Sequence, residues 1–410
     1  MNTYFTHLTD CQICGHTDLV KVLDLGSMPP ANNFLTKEEL SGSEEKFPLV
    51  AYFCTNCHAL QLLDIVDPAI LFKHYAYLTS ASRPLVVHFE EMGRDMVSRF
   101  VSNKEDLVVE IGGNDAVLLG AIKDNCRTLN VEPAENVAVL SREKGIETMS
   151  EFFNKAVADS ILEKYGPAKV VIANNVMAHI AGIKSVFEGV KHLIGEDGVF
   201  VFEVHWVGNL LNEGGFDQIY HEHLFYHSLL ALNNLVDQFG LKIFDVEMVP
   251  IHGQSMRVFV SKNMPVAASV AEHFEHERAL GLDKAETFLK FSEKVEKNKS
   301  QLISLLKDLK AQGKKIVGYG APAKGNTLLN YFGIDGAILD YIIDTTPLKQ
   351  GMYTPGMHVE VKSPTALQEE VPDYILLLAW NYADAILEKE KPLRDRGIKF
   401  IIPVPEVRIV

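Results

Sequence analysis

The ten residues IYHEHLFYHS (219–228) hold three of the chain's 15 histidines, with Glu222 and three other aromatic residues. Imidazole titrates near neutrality and can take a proton from an acidic carbon. A tyrosine hydroxyl such as that of Tyr220 can donate to an oxyanion. Histidines in the order H-E-x-x-H would bind a catalytic zinc, but His221-Glu222-His223-Leu224 lacks that order, so a base is favoured over a metal. A helix over 221–239 would place His223 and His227 four apart on one face, with Glu222 facing elsewhere. His227 reads as structural, and His221 is left without a role.

Two glycine turns could hold ligands. In VVEIGGNDAVLLG (108–120), Glu110 ends a strand, Gly112 and Gly113 make the turn, and a helix begins near Asp115. Asn114 follows the glycines directly, so the dinucleotide pattern G-x-G-x-x-G is not met. Glu132 ends the next strand, 22 residues after Glu110, where an acid can hydrogen-bond a ribose diol. A carboxylate before the glycines would repel a pyrophosphate, so E-x-G-x-x-D favours S-adenosylmethionine (SAM) over NAD. The second turn is IVGYGAPAKGNTLLN (316–330). Gly318, Gly320 and Ala323 fit G-x-G-x-x-A between a strand and a helix. No acid precedes these glycines, and Lys324 lies at the helix start. Backbone N–H groups, the helix dipole and a lysine together attract a phosphate. One turn suits a donor without phosphates and the other a phosphate-bearing acceptor.

Cysteines make the third cluster. Cys11 and Cys14 form one Cys-x-x-Cys pair, Cys54 and Cys57 a second, and Cys126 stands alone. Four thiolates suit tetrahedral zinc, and a closed shell of four leaves no position for catalysis. The 39 intervening residues exceed the usual finger spacing, yet a ribbon with a long insertion can close. Gly15 after the first pair suits a tight knuckle, and His58 follows the second. Redox or incidental pairs are the weaker alternative.

These clusters need a scaffold of several units. A chain of 410 residues exceeds one ordinary core. Its hydrophobic content of 47% with 23% charged residues is that of a soluble globular protein. A net charge of −15 argues against general nucleic-acid binding. No signal peptide and no membrane-length apolar run is visible, so the expected location is the cytoplasm. Residues 1–80 carry the cysteines and the Pro-containing loop SMPPANNF. Residues 81–268 alternate strands (LVVEIGG, TLNVEP, KVVIANN, GVFVFEV) with helical patterns, which predicts a parallel α/β sheet. LKIFDVEMV and QSMRVFVS would close it as an antiparallel pair. Residues 269–410 begin with a strongly helical stretch to Gly313, after which βα alternation restarts in a smaller α/β unit.

The assembled motifs resemble the deoxysugar C-methyltransferase family across essentially the whole chain. The motifs Cys11-x-x-Cys14 with Cys54-x-x-Cys57, VEIGGND, NNVMAHI, IYHEH and GYGAPAKGNT stand in the family's order. The chain departs from it in having Gly113 where many members have Ser, and Ala116 where many have Gly. The resemblance implies a small N-terminal zinc-binding domain, a central class I SAM methyltransferase (Rossmann-like) domain and a C-terminal Rossmann-like domain. It implies as acceptor a dTDP- or GDP-linked 4-keto-6-deoxysugar, methylated beside the ketone, at C3 in most relatives, on the way to a branched-chain deoxysugar. His223 would remove the acidic proton. Tyr220, Glu222 and His179 would position the sugar or steady the enolate, and Tyr75, in HYAYLTS, resembles a tyrosine reaching the same cleft. Donor contacts would come from Glu110, Gly112, Asn114, Glu132 and Asn174. Nucleotide contacts would come from Gly320, Lys324, Asn326 and Asn381. Cys11, Cys14, Cys54 and Cys57 would hold a structural zinc. A monomer without nucleic-acid or membrane partners is expected. The rival readings are an NAD-dependent oxidoreductase working through the second glycine turn, an O-methyltransferase, and a non-catalytic zinc-ribbon scaffold.

Overall fold

A computed structural model describes residues 4–71, 78–251 and 254–410. Tyr75 therefore lies outside the described residues. The N-terminal part supplies strands β1 (Phe5–His7), β2 (Leu19–Met28), β3 (Phe47–Cys54), β4 (Leu60–Leu62) and β5 (Asp64–Val66). The middle supplies β6 (Leu107–Ile111), β7 (Arg127–Val131), β8 (Glu147–Met149), β9 (Ala168–Asn174), β10 (Ile194–His205), β11 (Phe225–Tyr226), β12 (Lys242–Val249) and β13 (Ser255–Ser261). The C-terminal part supplies β14 (Ile316–Tyr319), β15 (Ile342–Ile343), β16 (Val361–Lys362), β17 (Tyr374–Leu377), β18 (Lys399–Ile402) and β19 (Arg408–Ile409).

Seven of these strands form the central sheet, in the order β12-β13-β10-β9-β6-β7-β8. It is parallel from β8 to β10, and β13 runs antiparallel to both of its neighbours. Strands covered on both faces read as continuous apolar runs, because neither face meets water. Accordingly β6, LVVEI, is buried at every residue. Leu85, Phe89, Met92 and Met96 of helix Arg83–Phe100 share a core with Val108, Ile172 and Val201 on one face. Phe187 of helix Ile183–Leu193 packs edge-on against Phe200 and Phe202 on the other. This is the sheet of class I SAM-dependent methyltransferases. Its order reverses between β6 and β9, and open α/β sheets bind ligands at such a switch point.

The C-terminal sheet has the order β16-β15-β14-β17-β18-β19, parallel except for β19. It is Rossmann-like and switches between β14 and β17.

One expectation about helices is corrected. Residues 221–239 are not one helix: a turn is followed by β11, and the helix runs only Leu229–Asp237, with the Ser228 hydroxyl accepting from Ala231 N at its start. Strand pairing overrides local helical preference here. Phe225 and Tyr226 pair with Gln61 and Leu60, making β11 the outer strand of the N-terminal sheet β11-β4-β3-β2. The helical stretch after 268 is two helices, Ala268–Ala279 and Ala285–Ala311. They part at Gly281, whose φ of +72° suits a residue without Cβ. No helix of the described residues is long and apolar enough to cross a membrane.

Candidate active site

The first glycine turn sits on the β6 side of the switch point. Gly112 has a φ of +64°, and a Cβ there would lie 2.5 Å from Val176 Cγ1. The turn is braced from below by buried Asn130. Its side-chain oxygen accepts Gly113 N at 3.2 Å, and its side-chain nitrogen donates to Asn114 O at 3.1 Å. Glu132 accepts the N–H groups of Asn114 and Ala134. Asn114 in turn accepts Thr79 N at 2.9 Å, tying the turn to the chain that leaves the N-terminal part. Thr79, Phe89, Glu110, Gly112 and Asn174 line one cleft.

This cleft is short of partners for its own polar groups. Both polar atoms of the Asn174 side chain and one oxygen of Glu110 are buried with no hydrogen-bond partner. Burial, and then the nearby Glu132 and Asp115, push the Glu110 carboxyl up to about 8. An acidic, under-satisfied cleft favours a ligand with hydroxyls and positive charge and disfavours a pyrophosphate. The residues thus fit SAM, which brings an ammonium, a sulfonium and a ribose diol.

Asn174 ends β9 and His179 stands five residues on, so the chain leaving β9 reaches both this cleft and the histidine cluster. His179 and His223 have ring centroids 4.8 Å apart, and His205 lies 6.3 Å from His223. His223 Nδ1 is 2.9 Å from the carbonyl oxygen of Gln218. A carbonyl only accepts, so Nδ1 carries the hydrogen and Nε2 carries the lone pair. The Tyr220 hydroxyl lies 2.9 Å from that Nε2. Burial, and then the charges that His179 and His205 could carry, hold the His223 imidazole well below its ordinary value. His223 is therefore neutral at neutral pH and can accept a proton. The buried Tyr226 donates to His223 O and fixes the backbone.

Glu222 turns the other way, to Asn32 of the Pro-containing loop, whose side-chain nitrogen donates at 2.7 Å. Burial raises the Glu222 carboxyl to about 7. His221 points into the N-terminal sheet at Phe47, and His227 stacks on Phe225. Both are buried.

At the second glycine turn Gly320 has a φ of +82°. Asp344, just after β15, accepts Ala321 N at 2.7 Å. Lys324 bonds Asn381 at 2.5 Å and lies 4.0 Å over the Trp380 ring. Burial lowers its ammonium to about 8. Asn326 is fully buried, and its side-chain nitrogen donates to Ala31 O at 2.7 Å. It thus anchors the loop that presents Asn32. Sequence reasoning missed Asn32, Gln218 and Asn130. Only the crowding of Pro, Ala and Asn in PPANN marked the first of these.

The four paired cysteines come together with all sulfurs within 4.8 Å of one another, and with Cys11–Cys57 and Cys14–Cys54 at 3.5 Å. Tetrahedral zinc–sulfur bonds of ~2.3 Å imply edges of about 3.8 Å, so the set fits zinc. Each pair forms a matching knuckle. Gly15 N donates to Cys11 O, His58 N donates to Cys54 O, and Gly15 and His58 take φ of +75° and +63°. Gln61 donates to Cys11 Sγ at 2.9 Å.

The chain is 36% identical, over 98% of its length and 97% of the relative's, to the C-methyltransferase NovU of Streptomyces niveus. The chain belongs to the C-methyltransferase family. Residues 11–72 of this C-methyltransferase match the model of a zinc binding domain, 88–246 that of a methyltransferase domain, and 250–405 that of a C-methyltransferase C-terminal domain. Among solved structures, the SAM-bound magnesium protoporphyrin IX methyltransferase of Synechocystis PCC 6803 is 10% identical, with 43% of this chain and 79% of that chain covered and a TM-score of 0.33. A SAM-dependent methyltransferase from Clostridium acetobutylicum is 12% identical, with 44% and 92% covered and a TM-score of 0.34.

Proposed function

We propose that this SAM-dependent C-methyltransferase methylates the carbon beside the ketone, at C3, of a nucleotide-diphosphate 4-keto-6-deoxysugar, in the making of a branched-chain deoxysugar. The observation that carries the reading is the orientation of His223. Its N–H is held by Gln218 O, so its lone pair faces the Tyr220 hydroxyl and is available as a base. A ketone makes its neighbouring C–H acidic, and a neutral imidazole held beside it can remove that proton. The Tyr220 hydroxyl then turns from Nε2 to donate to the enolate oxygen. His179 and Tyr75 orient the sugar, with Glu222 acting through Asn32 on the loop beside it.

Bound SAM supplies an electrophilic methyl group. Glu110, Gly112, Asn114, Glu132 and Asn174 hold it, with Glu110 and Asn174 contributing the under-satisfied polar atoms noted above. The nucleotide diphosphate lies at the turn around Gly320, against Lys324 and Asn381, with Asn326 fixing the adjoining loop. On this reading residues 1–80 bind zinc, 81–268 bind SAM and 269–410 bind the nucleotide.

The test is to incubate the protein with SAM and dTDP- or GDP-linked 4-keto-6-deoxysugars in deuterated water, and to follow mass and NMR spectra. One added methyl on carbon, with deuterium beside the ketone in unreacted sugar, is the expected result. A methyl on oxygen without exchange would replace the reading with O-methylation.

A further inference from the structure

The turn Phe216–Gln218 supplies the carbonyl that orients His223, and its middle residue does not face the central sheet's own core. Asp217 is fully buried. Its carboxylate accepts the indole N–H of Trp380, from the C-terminal part, at 2.6 Å. Lys324, over that same indole at 4.0 Å, is a cation whose charge acts on it. Phe216 stacks on Phe332 with ring centroids 5.1 Å apart. The turn is therefore held by residues after β14, while the next peptide carbonyl, Gln218 O, holds His223 Nδ1–H at 2.9 Å.

We infer that Asp217 is a positioning residue: its bond to Trp380 fixes the Gln218 carbonyl and thereby selects the His223 tautomer whose Nε2 can act as base. A tie of this kind makes base orientation depend on contact between the SAM-binding and nucleotide-binding parts. Lys324 belongs to the same cluster, so the residue placed at the acceptor's phosphates is also the counter-charge of the residue that aims the base. The inference rests on the proposed role of His223, although its first readout needs no substrate.

The experiment labels the full-length protein with 15N-histidine and reads the ring tautomers by long-range 15N–1H NMR, with His223→Gln identifying the signal. The wild type should show the Nδ1–H form. Asp217→Leu should shift His223 towards a mixture of tautomers, and Asp217→Asn, which keeps an acceptor for Trp380, should restore it. With a dTDP-linked 4-keto-6-deoxysugar as probe, kcat and carbon-proton exchange should fall together by about ten- to a hundredfold in Asp217→Leu. The dissociation constant of SAM should stay within about twofold of wild type, since none of its proposed contacts is touched. Trp380→Phe removes the donor from the other side and decides the matter if Asp217→Leu does not fold. An unchanged tautomer and unchanged kcat in Trp380→Phe and in folded Asp217→Leu would overturn the inference. No carbon-proton exchange in the wild type, with the tautomer still responding to Asp217, would instead overturn the reading of His223 as base and leave the positioning role standing.

Discussion

The Tyr220 hydroxyl sits 2.9 Å from Nε2 of His223, the one ring nitrogen that the Gln218 carbonyl leaves with a lone pair. On the proposed mechanism an acid and a base share one hydrogen bond before any acceptor arrives, and the base is aimed by a backbone carbonyl. His223→Ala should lower kcat by about 10²–10⁴-fold, the usual range for a positioned general base, with SAM affinity unchanged. Tyr220→Phe should cost less and spare part of the carbon-proton exchange. Loss of SAM binding in His223→Ala, measured by calorimetry, would count against its role as base.

The raised Glu110 carboxyl predicts a proton coupled to donor binding. At about 8 it is mostly protonated at pH 7. Hydroxyls and positive charge from the donor favour the anion and so lower its pKa. Binding at pH 7 should therefore release close to one proton, and affinity should rise with pH up to about 8. Calorimetry in buffers of different ionisation enthalpy reads the release directly. Glu110→Gln should abolish it and weaken binding.

Lys324 predicts the alkaline limb. Its ammonium, lowered to about 8 by burial, loses charge above that pH in the free protein. The KM for a nucleotide sugar should rise above pH 8, while the KM for SAM stays flat. Lys324→Arg keeps its charge throughout and should flatten the limb. On the acid side, His223 already lies well below 6.5, so its protonation should not limit the rate at neutral pH.

For the metal, Cys54→Ser should reduce zinc below one per chain and lower the melting temperature. Retention of a full equivalent, measured by mass spectrometry, would show that the four cysteines are not one site.

Much of this site was legible because its chemistry is local. A Cys-x-x-Cys knuckle, a strand ending in Glu before glycines, and G-x-G-x-x-A each carry their geometry within a few residues. Asn326 shows where locality ends. Its place in GYGAPAKGNT suggested a ligand contact, whereas its side-chain nitrogen bonds Ala31 O, 295 residues away in sequence. Asn32 bonds Glu222 from 190 residues away. The shape of 219–228 was missed for the same reason, since β11 exists only because β4 offers it a partner. Ser228, an N-cap preceding the helix, was the one local sign that the helix begins late.

That pairing bears on how the protein is built. The segment holding His223 ends as the fourth strand of a sheet whose other three strands lie beside the cysteine knuckles. A chain made in zinc starvation should lose the template for this strand, and with it the placement of the segment that holds His223. Such a protein is expected to transfer methyl more slowly than the zinc-loaded chain, a structural dependence on a metal that takes no part in the chemistry.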